Sequence, residues 1–219
     1  MSNSAKTTRI LRIDPLAPEE SAVREAAQLL REGKLVAFPT DTLYGLGANA
    51  TNADAIERVF SVKGRSKEKP LIVLARDLSM VEELTEEIDP LARRLMEALW
   101  PGPLTLVLAA SPRLPLSLTG TDRRLGVRIP DSRISQSLLQ ATGLPLTATS
   151  ANRSGGRDPG DAQVVWQELG GAIDLLLDGG PMTGRASTIL DLTAGLPRMI
   201  RPGLVSLHRI MEILGQEVS

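Results

Sequence analysis

Apolar positions follow a helical spacing in some segments of the chain and form short continuous runs in others. Within residues 18–34, apolar residues recur on one face of a predicted helix, and a glycine provides a natural stop. These residues are Val23, Ala26, Ala27, Leu30 and Gly33. The same reasoning predicts further helices after an Asn52 cap and over residues 78–88, 90–99, 132–141, 161–171 and about 205–214. Apolar runs predict strands over residues 35–38, 70–75, 104–109, 125–130, 145–150, 173–178, 187–192 and 197–203.

Continuous apolar strands between helices indicate a sheet that is covered on both faces. Three successive strand patterns between residues 173 and 201 are not compatible with a purely parallel sheet. We therefore predict a single α/β domain with a twisted, mixed (parallel and antiparallel) β-sheet flanked by helices. The predicted domain covers residues 13–214, between an N-terminal extension (1–12) that leads into a first strand and a C-terminal tail (215–219). Residues 111–121 are predicted to be irregular.

The composition of the chain excludes several classes of catalytic and metal site. The 219 residues include no Cys and one His, which excludes disulfides, thiol chemistry, Ser-His or Cys-His triads and His/Cys zinc sites. His208 lies in the last amphipathic helix, where a packing or surface role is expected. No apolar run approaches the roughly 20 residues of a membrane span, and the first residues lack the apolar core of a signal peptide. We expect a cytoplasmic protein that does not bind membranes.

Two basic stretches contrast with a net charge of -1. Between residues 63 and 69 four cations face one glutamate, and between residues 123 and 157 six arginines face one aspartate. The acidic segment 82–97 is interpreted as a solvated face. The basic stretches are rich in Gly and Ser, so an anion site is an alternative to solvated surface there.

Small polar residues accompany these cations. The segment FPTDTLYGLGANA, residues 38–50, is interpreted as a loop that offers hydroxyls and bare backbone to a ligand. Lys63 and Arg65 end a helix, where a simple C-terminal cap is the alternative, and Ser150 and Asn152 follow a strand, where a plain turn is the alternative. Ligands of open α/β sheets bind beyond the carboxyl ends of strands. Arg128, Ser187 and Arg201 could extend this surface.

Cations, hydroxyls and backbone N–H groups suit a phosphoryl or nucleotidyl transfer, which depends on charge stabilisation and placement of the reactants. A competing motif is GLGANA, which matches the relaxed dinucleotide fingerprint G-x-G-x-x-A. That match is weak, because the fingerprint requires its first glycine directly after a strand.

Seven motifs occur in the order and rough spacing of the YrdC-domain family, which the chain resembles from about residue 13 to residue 214. They are PTDTLYGLG, KGRSKEKPL, WPGPLT, GVRIP, TSANRSG, STILD and RPG. The resemblance implies a YrdC-like fold with a basic concave cavity. It also implies an L-threonylcarbamoyladenylate synthase, which forms threonylcarbamoyl-AMP and pyrophosphate from L-threonine, bicarbonate or CO2, and ATP. The product serves threonylcarbamoyl modification of a tRNA adenosine, through a downstream transferase complex. Mg²⁺ would enter with ATP, with no resident metal.

The resemblance also assigns roles to individual residues. Those implied in catalysis are Lys63, Arg65, Ser150 and Asn152. Those implied in binding ATP are Lys63, Arg65, Lys69, Ser150, Asn152 and Arg201. Those implied in binding threonine are Thr40, Thr42, Arg128, Ala148 and Ser187, with Tyr44 in the same loop. Lys69 and Leu74 depart from the Asn and His that many family members carry. The chain looks like the short, single-domain type.

Two alternatives remain open at this point. In the first, the same cavity is an RNA-binding module that binds tRNA directly, with Arg123, Arg124 and Arg157 at its rim. The scarcity of aromatic residues argues against stacking of single-stranded bases, but not against recognition of A-form backbone. In the second, GLGANA belongs to a dinucleotide-dependent oxidoreductase.

Overall fold

The computed structural model describes residues 7–67, 71–182, 184–194, 196–215 and 218. Within these ranges strands and helices alternate along most of the chain. The strands are β1 (Arg9–Arg12), β2 (Val36–Pro39), β3 (Tyr44–Gly47), β4 (Ile72–Leu74), β5 (Leu104–Ala109), β6 (Arg124–Arg128), β7 (Leu146–Thr147), β8 (Thr149–Ser150), β9 (Leu175–Asp178), β10 (Thr188–Asp191) and β11 (Arg198–Arg201). The helices are α1 (Glu20–Arg31), α2 (Ala53–Lys63), α3 (Leu78–Leu84), α4 (Pro90–Leu99), α5 (Leu116–Thr119), α6 (Arg133–Thr142), α7 (Ala162–Leu169) and α8 (Leu207–Leu214).

The strands pair in two sheets, where a single sheet was predicted. The five-stranded sheet has the order β1-β9-β2-β3-β8, and the six-stranded sheet has the order β11-β10-β5-β6-β4-β7. Both contain parallel pairs, such as β1 with β9 and β4 with β6, and antiparallel pairs, such as β2 with β3 and β5 with β6. The predicted α/β fold with mixed pairing is therefore confirmed.

The predicted strand over residues 145–150 is divided at Ala148. β7 pairs with β4 in the six-stranded sheet, whereas β8 pairs with β3 in the five-stranded sheet. Between them, the Ala148 N–H donates to Ile72 O at 2.8 Å, so the chain stays hydrogen-bonded as it crosses. This crossing holds the two sheets together beside the pocket described below.

Helix signals in the sequence are confirmed where a cap or an apolar face was present. α1 buries all four of its predicted apolar residues, and the left-handed Gly33 (φ 73°) follows its end. The Asn52 side chain accepts a hydrogen bond from Ala55 N at the start of α2. Two segments differ from prediction: α3 ends at Leu84 rather than near 88, and the short α5 lies within residues 111–121. β1 falls within the predicted extension 1–12 and pairs in parallel with β9.

The prediction that residues 38–50 form a loop is wrong for Tyr44–Gly47. This segment is β3, which pairs antiparallel with β2 to make a hairpin. Its glycines weaken the strand signal, but the packing needs them. A Cβ on Gly47 would lie 2.5 Å from Cε1 of the buried Phe38.

We expect Gly47→Ala to lower the free energy of unfolding by about 1–3 kcal/mol, because the added methyl would push Phe38 out of place. Gly160→Ala is the matched control, since a Cβ there meets no atom within 4 Å. Urea denaturation of both variants measures the difference. Equal stability of the two would contradict this account of why β3 contains a glycine at this position.

Within the described residues, no helix combines the length and apolarity needed to cross a bilayer.

Candidate functional site

A pocket of about 130 Å³ opens where the two sheets meet. The turn after β2, the ends of β6 and β11, the crossing at Ala148, and β8 all contribute to its wall. Its lining consists of Thr40, Thr42, Leu43, Tyr44, Gly45, Arg65, Ile72, Arg128, Ala148, Thr149, Ser150, Ala186, Ser187, Ile189 and Arg201. The structure thus brings together all five residues predicted for threonine and three of those predicted for ATP. The volume of the pocket lies below the roughly 300 Å³ at which sites for drug-sized ligands begin, so the pocket suits a smaller ligand.

A buried ion pair forms one wall of the pocket. Arg128, at the end of β6, is 4% exposed, and its Nη1 donates to both carboxylate oxygens of Asp41 at 2.8 Å. Its Nη2 donates to the Thr42 hydroxyl at 3.4 Å, and that hydroxyl lies 2.9 Å from the hydroxyl of Thr40. Among the described residues, no acceptor reaches the buried Nε of Arg128. This guanidinium therefore keeps hydrogen-bonding capacity for a ligand.

Three guanidinium groups crowd the same pocket. Burial lowers the pKa of Arg128, against the opposing effect of Asp41. Burial and the nearby Arg201 lower the pKa of Arg65, and burial and Arg128 lower the pKa of Arg201. Each cation is therefore held in an environment that disfavours its charge. An anionic ligand between them would relieve this repulsion.

Arg201 and Ser187 form another wall of the pocket. The Nη2 of Arg201 donates to the Ser187 carbonyl at 2.9 Å and to the Ser187 hydroxyl at 3.1 Å, and its Nε donates to the same carbonyl at 3.2 Å. The Ser187 hydroxyl also lies 2.9 Å from the hydroxyl of Thr105 on β5. Both side chains of this wall are thus fixed by their neighbours before any ligand arrives.

Lys63 is buried and does not contribute to the lining of the pocket. It ends α2 and is 2% exposed, and its Nζ donates to the carbonyls of Ser150 and Asn152, the latter at 2.6 Å. A weaker contact of 3.3 Å joins Nζ to Asn152 Oδ1. Burial, followed by the charge of Arg65, lowers the pKa of Lys63 to about 8. In this arrangement the lysine holds the loop after β8 rather than a ligand.

Asn152 braces the same loop from within. Its Oδ1 accepts the Ser150 hydroxyl at 2.8 Å, and its Nδ2 donates to Gly156 O and Arg157 O at 3.2 and 2.9 Å. Ser150 lines the pocket, whereas Asn152 does not. Of these two predicted residues, Ser150 therefore presents its hydroxyl to the pocket, whereas Asn152 uses its amide to support the loop.

Three further predicted residues have distinct positions. The Tyr44 hydroxyl donates to Gly180 O at 2.7 Å and accepts from Gly179 N at 3.1 Å, and burial raises its pKa. Leu74 is buried in an apolar cluster and does not line the pocket. Lys69 lies outside the described residues, so its predicted contact with ATP stays a prediction.

Comparison with known proteins identifies the family. A family model described as Telomere recombination, Sua5/YciO/YrdC, matches residues 28–203. The chain belongs to the Sua5/YciO/YrdC family. This result, together with the structural match that follows, confirms the predicted YrdC-like fold.

Relatives in the Sua5/YciO/YrdC family carry a specific name. The chain is 40% identical to a threonylcarbamoyl-AMP synthase of Bacillus subtilis, over 92% of this chain and 59% of the relative. It is 38% identical to a putative threonylcarbamoyl-AMP synthase of Mycobacterium tuberculosis, over 92% of this chain and 94% of the relative. The structure of Pyrococcus abyssi Sua5 complexed with L-threonine matches with a TM-score of 0.93 at 40% identity. That match covers 97% of this chain and 63% of the Sua5 chain, so this chain spans about three fifths of two of these relatives.

Sequence reasoning missed two residues that contact the lining of the pocket. Asp41 is the ion-pair partner of Arg128, and Thr105 contacts Ser187. Asp41 stands between two threonines in the motif PTDT, and Thr105 is the one polar residue within the apolar strand LTLVLA. The available signals were a polar residue within an otherwise apolar strand and a carboxylate beside hydroxyls that were predicted to bind a ligand.

The structure does not favour the two alternatives. Arg123 donates to the carbonyls of Pro112 and Leu114, Arg124 pairs with Asp191 at 3.3 Å, and neither lines the pocket. The oxidoreductase interpretation of GLGANA is wrong, because its glycines lie within a hairpin strand and not in a turn between a strand and a helix. His208 is exposed on α8, 3.2 Å from Glu212, as expected for a surface residue. Nowhere in the described ranges do three His, Cys, Asp or Glu side chains come together as they would around a metal ion.

Proposed function

We propose that this chain catalyses the synthesis of L-threonylcarbamoyladenylate from L-threonine, bicarbonate or CO2, and ATP, with release of pyrophosphate. The observation that carries the proposal is the small pocket of hydroxyls and guanidinium groups, in a chain whose relatives are named threonylcarbamoyl-AMP synthase. The Pyrococcus abyssi structure complexed with L-threonine supports an amino acid as the ligand of this pocket. Thr40, Thr42, Arg128, Ala148 and Ser187 would bind it.

Two bond-forming steps account for the product. The neutral amine nitrogen of threonine attacks the carbon of CO2 and releases a proton to the solvent, which gives a carbamate. A carbamate oxygen then attacks the α-phosphorus of ATP, the bond from that phosphorus to the bridging oxygen breaks, and pyrophosphate leaves. The protein's task is to align the two anions and to stabilise the charge that develops on the phosphates.

The arginines are suited to this task. Arg65 and Arg201 line the pocket, and their mutual repulsion would be relieved by the phosphates of ATP. Ser150 offers a hydroxyl on the same side, while Lys63 and Asn152 would act through the loop they support. Mg²⁺ would enter bound to ATP as part of the substrate. A tRNA threonylcarbamoyl transferase would use the product.

The test is pyrophosphate release by the purified protein with Mg-ATP and bicarbonate, with and without L-threonine. We expect release that requires L-threonine and is weaker with L-serine, and a loss of about 100-fold in Arg65→Ala, by analogy with the removal of one donor that stabilises a transition state. Arg93→Ala is the matched control, since Arg93 forms a half-exposed ion pair with Glu82 on the surface.

Release that did not depend on L-threonine would exclude the synthase. Binding of tRNA by the same folded protein, measured by gel shift and reduced by Arg65→Ala, would then favour the RNA-binding alternative. Equal loss of activity in Arg65→Ala and Arg93→Ala would show that Arg65 has no special part in the reaction.

A further inference from the structure

Thr105 is a buried polar residue that none of the predicted roles includes. It lies on β5, is 0% exposed, and pairs in register with Ile189 of β10. Its hydroxyl lies 2.9 Å from the Ser187 hydroxyl. Within the part of the chain that the structure describes, this is the one hydrogen-bond partner of the Thr105 side chain.

The geometry allows either hydroxyl to donate in this contact, and hydrogen-bond accounting favours one direction. A buried hydroxyl proton without an acceptor is costly, so Thr105 donates its proton to the Ser187 oxygen. Arg201 has no acceptor capacity, so its Nη2 also donates to the same oxygen, at 3.1 Å. A serine oxygen has two lone pairs, and both are now occupied. The Ser187 proton remains, and since this residue lines the pocket, that proton is available to a ligand.

We infer that Thr105 is a positioning residue that makes Ser187 an obligate hydrogen-bond donor to an oxygen atom of the amino-acid substrate. The inference rests on the proposed function, which supplies that substrate. Ser187 in this state cannot accept a hydrogen bond, so it would contact a carboxylate or hydroxyl oxygen and never the ammonium group. Thr105 touches no substrate and acts through Ser187.

The test compares two substitutions that separate hydrogen bonding from packing. Thr105→Val keeps the shape and removes the donor, so we expect the KM for L-threonine to rise roughly fivefold to tenfold, with the KM for ATP nearly unchanged. Thr105→Ser keeps the donor and removes the methyl group, so its KM for L-threonine should stay close to that of the wild type. Thr119→Val, a buried threonine on α5 outside the pocket, is the matched control.

A double-mutant cycle shows whether the effect passes through Ser187. We expect Thr105→Val to have no further effect on L-threonine binding in a Ser187→Ala background, because the hydroxyl that it orients is gone. Calorimetric titration with L-threonine provides the binding constants without turnover, and thermal unfolding of each variant separates loss of fold from loss of affinity.

The outcomes distinguish the two proposals. A wild-type protein that neither bound L-threonine nor used it would overturn the proposed function, and the role of Thr105 with it. Wild-type binding together with equal affinity in Thr105→Val would overturn the role of Thr105 alone. The same would follow if Thr105→Ser were the weaker binder, since packing would then be the cause, or if the effects of Thr105→Val and Ser187→Ala were additive.

Discussion

We expect the Arg128→Met variant to lose both L-threonine-dependent pyrophosphate release and about 3–5 kcal/mol of unfolding free energy, because it leaves a buried carboxylate without its partner. Asp41 has a side chain that is 11% exposed, and both of its oxygens accept from Arg128. The same change removes the guanidinium that faces the pocket. Urea denaturation and the pyrophosphate assay measure the two losses separately.

A second variant separates stability from function at this site. In Arg128→Met/Asp41→Asn no buried charge remains unpaired, so part of the lost stability should return while activity stays low. Arg124→Met is the matched control, because Arg124 is half-exposed and its partner Asp191 keeps Arg198 and Thr193. That variant should stay within about 1 kcal/mol of the wild type. Recovery of both stability and activity in the double variant would leave Arg128 no role in binding the amino acid.

The second large effect is expected from Lys63→Met, which removes a donor to three oxygens at the end of β8 and in the loop after it. Two are the carbonyls of Ser150 and Asn152, and the third is Asn152 Oδ1. Asn152 O is then left without a donor among the described residues, whereas Ser150 O keeps the N–H of Asn152 and Asn152 Oδ1 keeps the Ser150 hydroxyl. Hydrogen bonds to a charged group contribute about 1.5–3 kcal/mol each, and burying the ammonium group has its own cost, so we expect a net loss of about 3 kcal/mol. This corresponds to a fall in Tm of roughly 6–12 °C for a chain of this size.

The loss of activity in Lys63→Met should exceed what its lower stability explains. Ser150 lines the pocket, and its position depends on the loop that Lys63 holds. The control is Lys67→Met, the same substitution at an exposed lysine that pairs with Glu57 on the surface. It should change stability by less than about 0.5 kcal/mol. Equal Tm values for the two variants would show that the contacts of Lys63 do not support the loop.

Local signals in the sequence predicted the elements that carry their own start, stop or apolar face. α1, the Asn52 cap of α2 and the strand β5 are examples, since each depends on residues close together in the chain. β3 could not be predicted in this way, because Gly45 and Gly47 are there for contacts with Ala148 and Phe38. The division of residues 145–150 between two sheets was hidden for the same reason, since partners elsewhere in the chain decide it.

The sequence could predict the pocket only in part, for a similar reason. Hydroxyls and arginines after strands could be predicted to lie near one another, because strand ends meet at one side of a sheet. The direction in which a long side chain points could not be predicted. Lys63 is buried inside the protein, whereas Arg65, two residues later, lines the pocket. The pair of Asp41 and Arg128 was hidden because the two residues are separated by 87 positions in the sequence. Thr105 contacts Ser187 over a separation of 82 residues.

The hydrogen bonds by which Lys63 holds the loop after β8 have an evolutionary consequence. Its two shortest contacts are to carbonyl oxygens, which every amino acid provides, so they do not depend on which side chains occupy positions 150 and 152. Substitution at position 150, which lines the pocket, would change the chemistry offered to a ligand while Lys63 still held the loop. Substitution at position 152 would in addition remove the hydrogen bonds that the Asn152 amide makes within the loop. Drift at position 63 would remove the support whatever followed. A descendant of this protein could therefore acquire a different substrate through the serine, but only while it retained the lysine.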